Sequence, residues 1–225
     1  DTPSDAFRAV LRHKPAVLGI GEIHQVIKHK HIAPSIQRFT HQMLPSLKGV
    51  ATDLILETWM PSGNCGRKEV RVVKKIKKVL ERPKKSESLL TNLIRKAHAA
   101  GIRPHILSVS CQIYQKILKK SGVLDYIGLG VMVTRLLHNK AHTIWKFRKA
   151  RKQKVMVVLY GGTMHNELSP PKEMAKYSYA LKLQGHIQGR LLELDLYVPE
   201  YIGDGLLWKK APWFTIFQRH KGSKK

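Results

Sequence analysis

Three short apolar runs in this chain each end in a carboxylate or an imidazole, and no other feature constrains the fold as much. Val17-Leu18-Gly19-Ile20-Gly21 leads into Glu22-Ile23-His24, and Thr52-Asp53-Leu54-Ile55-Leu56 leads into Glu57. The run from Lys154 to Tyr160 leads into Gly161-Gly162-Thr163-Met164-His165-Asn166-Glu167. Continuous apolar runs of this length are the mark of strands covered on both faces, as in parallel sheets with helices above and below. Such sheets bind ligands at the carboxyl ends of their strands. Those ends carry Glu22, His24, Glu57 and His165, so the sequence predicts one site built from three strands.

The intervening segments have helical spacing. Residues 5–13 read as a short helix behind an Asp5 cap, ended by Pro15. After a loop over 25–33, a helix over 34–47 turns Ile36, Phe39, Met43, Leu44 and Leu47 inward, with Pro34 in its first turn and Pro45 blunting its last. Residues 58–66 are rich in turn formers and read as a wide loop walling the site. A basic amphipathic helix carries Val70, Val73, Ile76 and Leu80, followed by a polar break at 83–86 and a helix over 88–100 ended by Gly101. A strand near 103–109, a short helix over 112–120 and a long helix over 126–152, in one piece or two, come next. The alternation in 190–198 suits a half-exposed edge strand. The aromatic tail over 208–217 is expected to pack across the sheet, and 218–225 to fray. The expected fold is a single α/β domain over 1–225 with a mainly parallel central sheet and helices on both faces. Its strands fall near 16–21, 52–57, 103–109, 155–160 and 190–198.

Charge is the outlier. The chain has 41 Lys and Arg against 15 Asp and Glu, a formal net charge of +26. A field of that size attracts nucleic acid, anionic membranes and acidic proteins without a specific site. Dedicated nucleic-acid binders gather their basic residues into an arm, a patch or a motif. Here they spread over the solvent-facing positions of nearly every helical segment, as in 67–78, 116–120 and 146–154. The acidic residues sit largely in strands and at strand ends: Glu22, Asp53, Glu57, Glu167, Glu193, Asp195 and Glu200. A naturally basic protein would show this pattern, and so would a surface resurfaced to positive charge around an older core, as in supercharged designs. No helix-turn-helix, zinc finger or aromatic stacking sheet provides base reading, so the expected polyanion binding is non-specific.

At 43% hydrophobic the chain can bury a core, and no run approaches the roughly 18 apolar residues of a membrane span. It begins at Asp1 without Met or a signal peptide, which reads as the interior of a longer precursor. Cys65 and Cys111 follow the second and third strands. In a chain this long two cysteines are expected to be free thiols; a bridge between them would favour an exported protein.

Gly21-Glu22-Ile23-His24 and Gly162-Thr163-Met164-His165 share the form Gly-x-x-His. Glycine allows a tight strand exit, and a His three residues on can return to the strand mouth as base or ligand. Tyr160, Asn166 and Glu167 flank His165 as supporting candidates. Arg38 could pair with Glu22 or Glu57, bind a substrate anion or lie in solvent, and Trp59 is expected to pack on the core. His29, His31 and His41 are expected to be ordinary loop and surface residues, although the first two lie near enough to contribute to metal or haem binding. There is no Gly-x-Ser-x-Gly elbow, no phosphate-binding Gly-x-x-x-x-Gly-Lys-Ser/Thr loop and no Cys-x-x-Cys pair. Gly19-Ile20-Gly21 begins like a dinucleotide fingerprint, but Glu22 and His24 stand where its third glycine and helix start belong.

Taken with Glu57 between them, the two Gly-x-x-His motifs resemble the superfamily of Tiki-type proteases, erythromycin-esterase-like hydrolases and ChaN-like haem-binding uptake proteins. Its shared pattern is a first-strand Gly-Glu-x-His, an acidic residue closing the second strand and a late-strand Gly-x-x-His. On this chain these positions are Glu22 and His24, Glu57, and His165, and the element order matches over roughly 5–200. The esterase-like relatives imply hydrolysis of an ester or amide with His as general base and no metal. The Tiki-like ones imply a divalent metal held by the same four residues. The ChaN-like ones imply haem bound through His without turnover. The substrate, a small molecule or a peptide, and the oligomeric state stay open, as does a third class, an idle cationic scaffold.

Overall fold

The computed structural model describes residues 2–62, 86–117, 125–202, 206–209 and 211–220. Its centre is a five-stranded sheet in the order β3-β2-β4-β1-β5, every neighbouring pair parallel. The strands are β1 (Val17–Glu22), β2 (Asp53–Ser62), β3 (Arg103–Ser110), β4 (Val157–Gly162) and β5 (Leu191–Leu196). All six residues of β1 and of β4 are buried, as their unbroken apolar runs require, whereas β5 is a half-exposed edge.

Helices cover both faces. Under one lie Leu18, Ile20, Leu54, Leu56, Val158 and Tyr160, packed by Phe7 of α1 (Pro3–Arg12), by Phe39, Met43, Leu44 and Leu47, and by Leu93 and Ala97 of α3 (Ser86–Ala99). The other face, with Val17, Ile55, Val157 and Leu159, is packed by Leu129, Met132, Val133 and Leu137 of α5 (Tyr126–Ala150) and by Ala180 and Leu183 of α7 (Ala180–His186). The connection leaving β1 therefore crosses one face and the one leaving β4 crosses the other. Neighbouring strands whose connections diverge in this way open a crevice at their carboxyl ends, which places the ligand crevice of this fold between β1 and β4.

Several local expectations change. Helix α1 is capped by Thr2, with Asp5 at its third position in a reciprocal capping box, so Asp5 supports the cap and is not the cap itself. The helix expected over 34–47 is only a turn of α-helix, α2 (Ser35–Arg38), followed by a π-turn (Phe39–Met43) and a 3-10 turn (Leu44–Leu47). Pro45 has no N–H to give to the carbonyl four residues back, so the ladder changes pitch while Phe39, Met43, Leu44 and Leu47 stay buried and Ile36 is partly buried. Residues Thr58 to Ser62 are not a loop; β2 continues through them, paired to β3 after a register shift between Leu56 and Trp59. The long helix is one piece, capped by Asp125, whose side chain accepts from Gly128 N. Cys111, at the start of α4 (Cys111–Ile117), is disulfide-bonded, contrary to the free-thiol expectation; Cys65 lies outside the described residues, as does the helix expected over 67–80. The aromatic tail forms α8 (Leu206–Lys209) and α9 (Phe214–His220), and Trp208 and Trp213 meet Tyr197 just beyond β5.

Candidate functional site

Glu22, His24, Glu57 and His165 converge at the β1–β4 crevice. Glu22 closes β1, and His24 Nδ1 lies 2.8 Å from its Oε1. The other oxygen, Oε2, accepts the Tyr160 hydroxyl at 2.5 Å. Tyr160 is paired with Ile20 and sits one register step from Glu22 on the same face, so the parallel ladder itself brings the phenol to the carboxyl group. Burial pushes the Tyr160 phenol well above its ordinary range and the Glu22 charge adds to that, which keeps it a proton donor.

Glu57 reaches across β4 from the other side. The last β2–β4 pair is Leu56 with Tyr160, and the register shift that follows frees Glu57 to lie over Gly161. Its Oε2 accepts the Gly162 N–H at 2.5 Å. Its Oε1 stands 3.7 Å from Nε2 of His24 and 3.7 Å from Nε2 of His165. Burial pushes this carboxyl group up, but the charges of His165 and His24 and the Gly162 N–H act the other way and prevail, holding it far below the usual carboxylate range.

His165 sits in α6 (Thr163–Asn166), the helical turn directly after β4. Its Nδ1 lies 2.9 Å from the Tyr177 carbonyl and 2.9 Å from Thr134 Oγ1. A carbonyl only accepts, so Nδ1 carries the proton and Nε2 is left facing Glu57. The Thr134 hydroxyl has the Gly130 and Tyr177 carbonyls at 2.9 and 2.7 Å as acceptors, so it can take the His165 proton as well. The two imidazoles differ in access: the His24 side chain is 30% exposed and that of His165 only 5%. One imidazole meets solvent while its twin is locked in the core.

Glycines make room for the cluster. A Cβ on Gly161 would stand 2.8 Å from Glu57 Cβ, and one on Gly21 would stand 2.6 Å from Asn166 Oδ1 and 2.7 Å from the backbone Thr163 Cα. Since the Thr163 backbone cannot swing aside as a side chain would, Gly21→Ala is expected to cost about 1–3 kcal/mol of stability; a urea midpoint equal to that of the parent would contradict this. Asn166 is buried beneath Gly21, with Nδ2 donating to Asp195 Oδ1 at 3.1 Å and, at 3.4 Å, to the Gly19 carbonyl. Burial pushes the Asp195 carboxyl group up despite hydrogen bonds from Asn166 and Tyr197, and pushes Glu193 up to about 6.

Other candidates lie elsewhere. Arg38 does not meet Glu22 or Glu57; it forks onto both oxygens of Glu200 at 3.0 and 3.1 Å. The side chain of Glu167 accepts from Ser169 N, outside the cluster, and Trp59 packs against the core, on β2 instead of in a loop. His29 stacks on Tyr201, the His41 ring meets Lys96, and His31 is exposed. Thr134 and Tyr177, which tether His165, were not foreseen; the one available signal was a lone hydroxyl within the apolar stretch of α5.

As a metal centre the donor set does not fit. Both Glu22 oxygens are already engaged by His24 and Tyr160, and among the described residues no group of three or more His, Cys, Asp or Glu side chains converges as a metal ion requires. What fold and site define is a parallel α/β domain with two imidazoles facing one carboxylate at its switch point. Comparison with family models, curated proteins and solved structures finds no match to this chain.

Proposed function

We propose that the cluster is a hydrolytic centre for an ester or amide bond, with His24 as general base on water. The observation that carries this is that both imidazoles are tethered through Nδ1 and turn Nε2 toward Glu57 Oε1, each at 3.7 Å. That gap exceeds a direct hydrogen bond and suits contacts that tighten when substrate or water is bound. Glu22, fixed by Tyr160, holds the His24 tautomer much as the carboxylate of a Ser-His-Asp triad does. His24 Nε2 then takes a proton from water, and the oxygen attacks the carbonyl carbon. The resulting imidazolium lies between Glu22 and Glu57. When the tetrahedral intermediate collapses, the bond to the leaving oxygen or nitrogen breaks and that atom takes the proton back, giving an acid and an alcohol or amine. Exposed apolar residues lie within three positions of His24, Glu57 and His165 along the chain: Ile27 (51%) in the 3-10 turn after β1, Met60 (61%) on β2 and Met164 (41%) in α6. They favour a substrate with an apolar body.

The same apolar residues, together with the accessible His24 ring, also favour a second reading, haem binding of the ChaN-like kind without turnover. Two measurements separate them. Hydrolysis of a 4-nitrophenyl ester or an amino-acid anilide, lost in Glu22→Gln, is the expected result. A haemin titration whose Soret shift disappears in His24→Ala and His165→Ala, with no turnover of either chromogenic substrate, would establish the second reading and overturn the first.

A further inference from the structure

The opposite end of the sheet holds a different chemistry. A cavity of about 500 Å³ opens at the amino ends of β2, β3 and β4, and its lining includes Lys48, Thr52, Arg103, Arg148 and Lys154 but no acidic residue. Two of the four cations are fixed in place. Arg148 Nε donates to Asp53 Oδ2 at 2.6 Å, beneath the cavity, and Lys154 Nζ donates to the Gly49 carbonyl on its wall. Asp53 is buried and is also bonded by His105 Nε2 at 2.9 Å, so it supplies one countercharge without entering the lining. Positive charge therefore predominates in a concave, partly preorganised site.

Two simpler causes gather cations at such places. Basic residues commonly offset the dipoles of helix carboxyl ends, and α3, α5 and the turn Leu44–Leu47 all end near this cavity. Each such dipole is equivalent to about half a charge, and three of them together with Asp53 still fall short of four cations. Nor do they account for Arg103, the first residue of a strand, or Lys154, which lies between elements. The second is the overall charge of +26, which puts lysines everywhere. A general field, however, does not place a buried aspartate and a backbone carbonyl to anchor two of them.

We propose that this cavity binds a small anion carrying two or more phosphate groups. With Asp53 countering Arg148, three cations remain, and one phosphate, at about two negative charges, would leave one of them unmatched. A di- or triphosphate carries charge enough for all three, and the cavity has room for it. Recognition would run through side chains, since among the described residues no helix amino end lies in the lining. The chemistry is independent of the hydrolytic centre at the other end of the strands.

Calorimetric titration of the full chain with sodium tripolyphosphate at about 0.3 M salt, where the Debye length is near 6 Å, tests the idea. The pocket variant Lys48→Ala/Arg103→Ala/Lys154→Ala is compared with a control of equal charge loss on exposed residues elsewhere, Lys28→Ala/Lys172→Ala/Lys182→Ala. Saturable binding weakened at least about tenfold in the pocket variant, and less than about twofold in the control, is expected, because each charge-assisted bond contributes roughly that factor or more. Lys48→Ala alone, at an exposed side chain, gives the same direction should the triple variant fold poorly. Sedimentation with phosphatidylcholine vesicles containing about one-fifth phosphatidylinositol bisphosphate tells the source: a loss in the pocket variant that is larger with vesicles than with tripolyphosphate assigns the phosphates to lipid headgroups, and an equal or smaller loss assigns them to a soluble anion. Equal weakening of both ligands in pocket and control variants would overturn the proposal and return the cavity to the general field.

Discussion

Replacing His24 with alanine is expected to lower ester turnover by at least about a hundredfold, with little change in KM, because a positioned base contributes roughly 10²–10⁴ to such reactions. The His24 side chain is 30% exposed, so the variant should keep the parent's circular dichroism, with its stability lowered by about 1–3 kcal/mol because the buried Glu22 carboxylate loses that bond. Glu57→Gln is the companion experiment. Its carboxylate is the one charge that both imidazoles face at 3.7 Å, and its neighbours hold it ionised far below the usual range. Without that charge, the His24 imidazolium keeps Glu22 but loses the second of its two counterions. The acid limb of the pH–rate profile should therefore move to lower pH. A purely structural Glu57 would lower stability and leave the position of that limb unchanged.

The convergence of Glu22, His24 and His165 was legible because parallel sheets expose one end of each strand to ligand, and these residues lie at or just past such ends. Glu57 was expected to close the second strand; it lies inside β2, which runs on to Ser62, and joins the others because pairing with β4 stops at Leu56. The order of strands was not legible. Nothing in the β4 run says that it inserts between β1 and β2, yet that insertion sets Tyr160 beside Glu22 and Gly161 beneath Glu57. The tether on His165 was hidden for a different reason: Thr134 and Tyr177 belong to a helix and a loop whose approach depends on how α5 packs on the sheet. Turn-forming residues misled at 58–62, since an edge-facing pairing to β3 tolerates Pro61 once the register has shifted at Leu56. Long-range ion pairs were also out of reach. Arg38 with Glu200 and Arg148 with Asp53 join residues 162 and 95 positions apart, and side-chain pairing carries no periodicity along the chain.

Asp53 carries the largest expected effect on stability. Only 2% exposed, it takes Arg148 Nε at 2.6 Å and His105 Nε2 at 2.9 Å. Burial pushes its carboxyl group up, and the bonds from His105 and Arg148 outweigh this, holding it at about 2 instead of 3.8. The folded value lies below the unfolded one, so the pair stabilises the fold in full above about pH 4 and loses that contribution as pH falls toward 2; the shift corresponds to about 2 kcal/mol. Asp53→Asn should cost more, about 3 kcal/mol, because it leaves the Arg148 guanidinium, whose side chain is 11% exposed, without its charge partner. For a domain of this size that is a fall of about 6–12 °C in Tm. The loss should shrink when Arg148→Met is added, since removing both charges removes the desolvation cost along with the attraction. If the double variant were no more stable than Asp53→Asn alone, the ion pair would not be the source of the effect, and the bond from His105 would have to carry it.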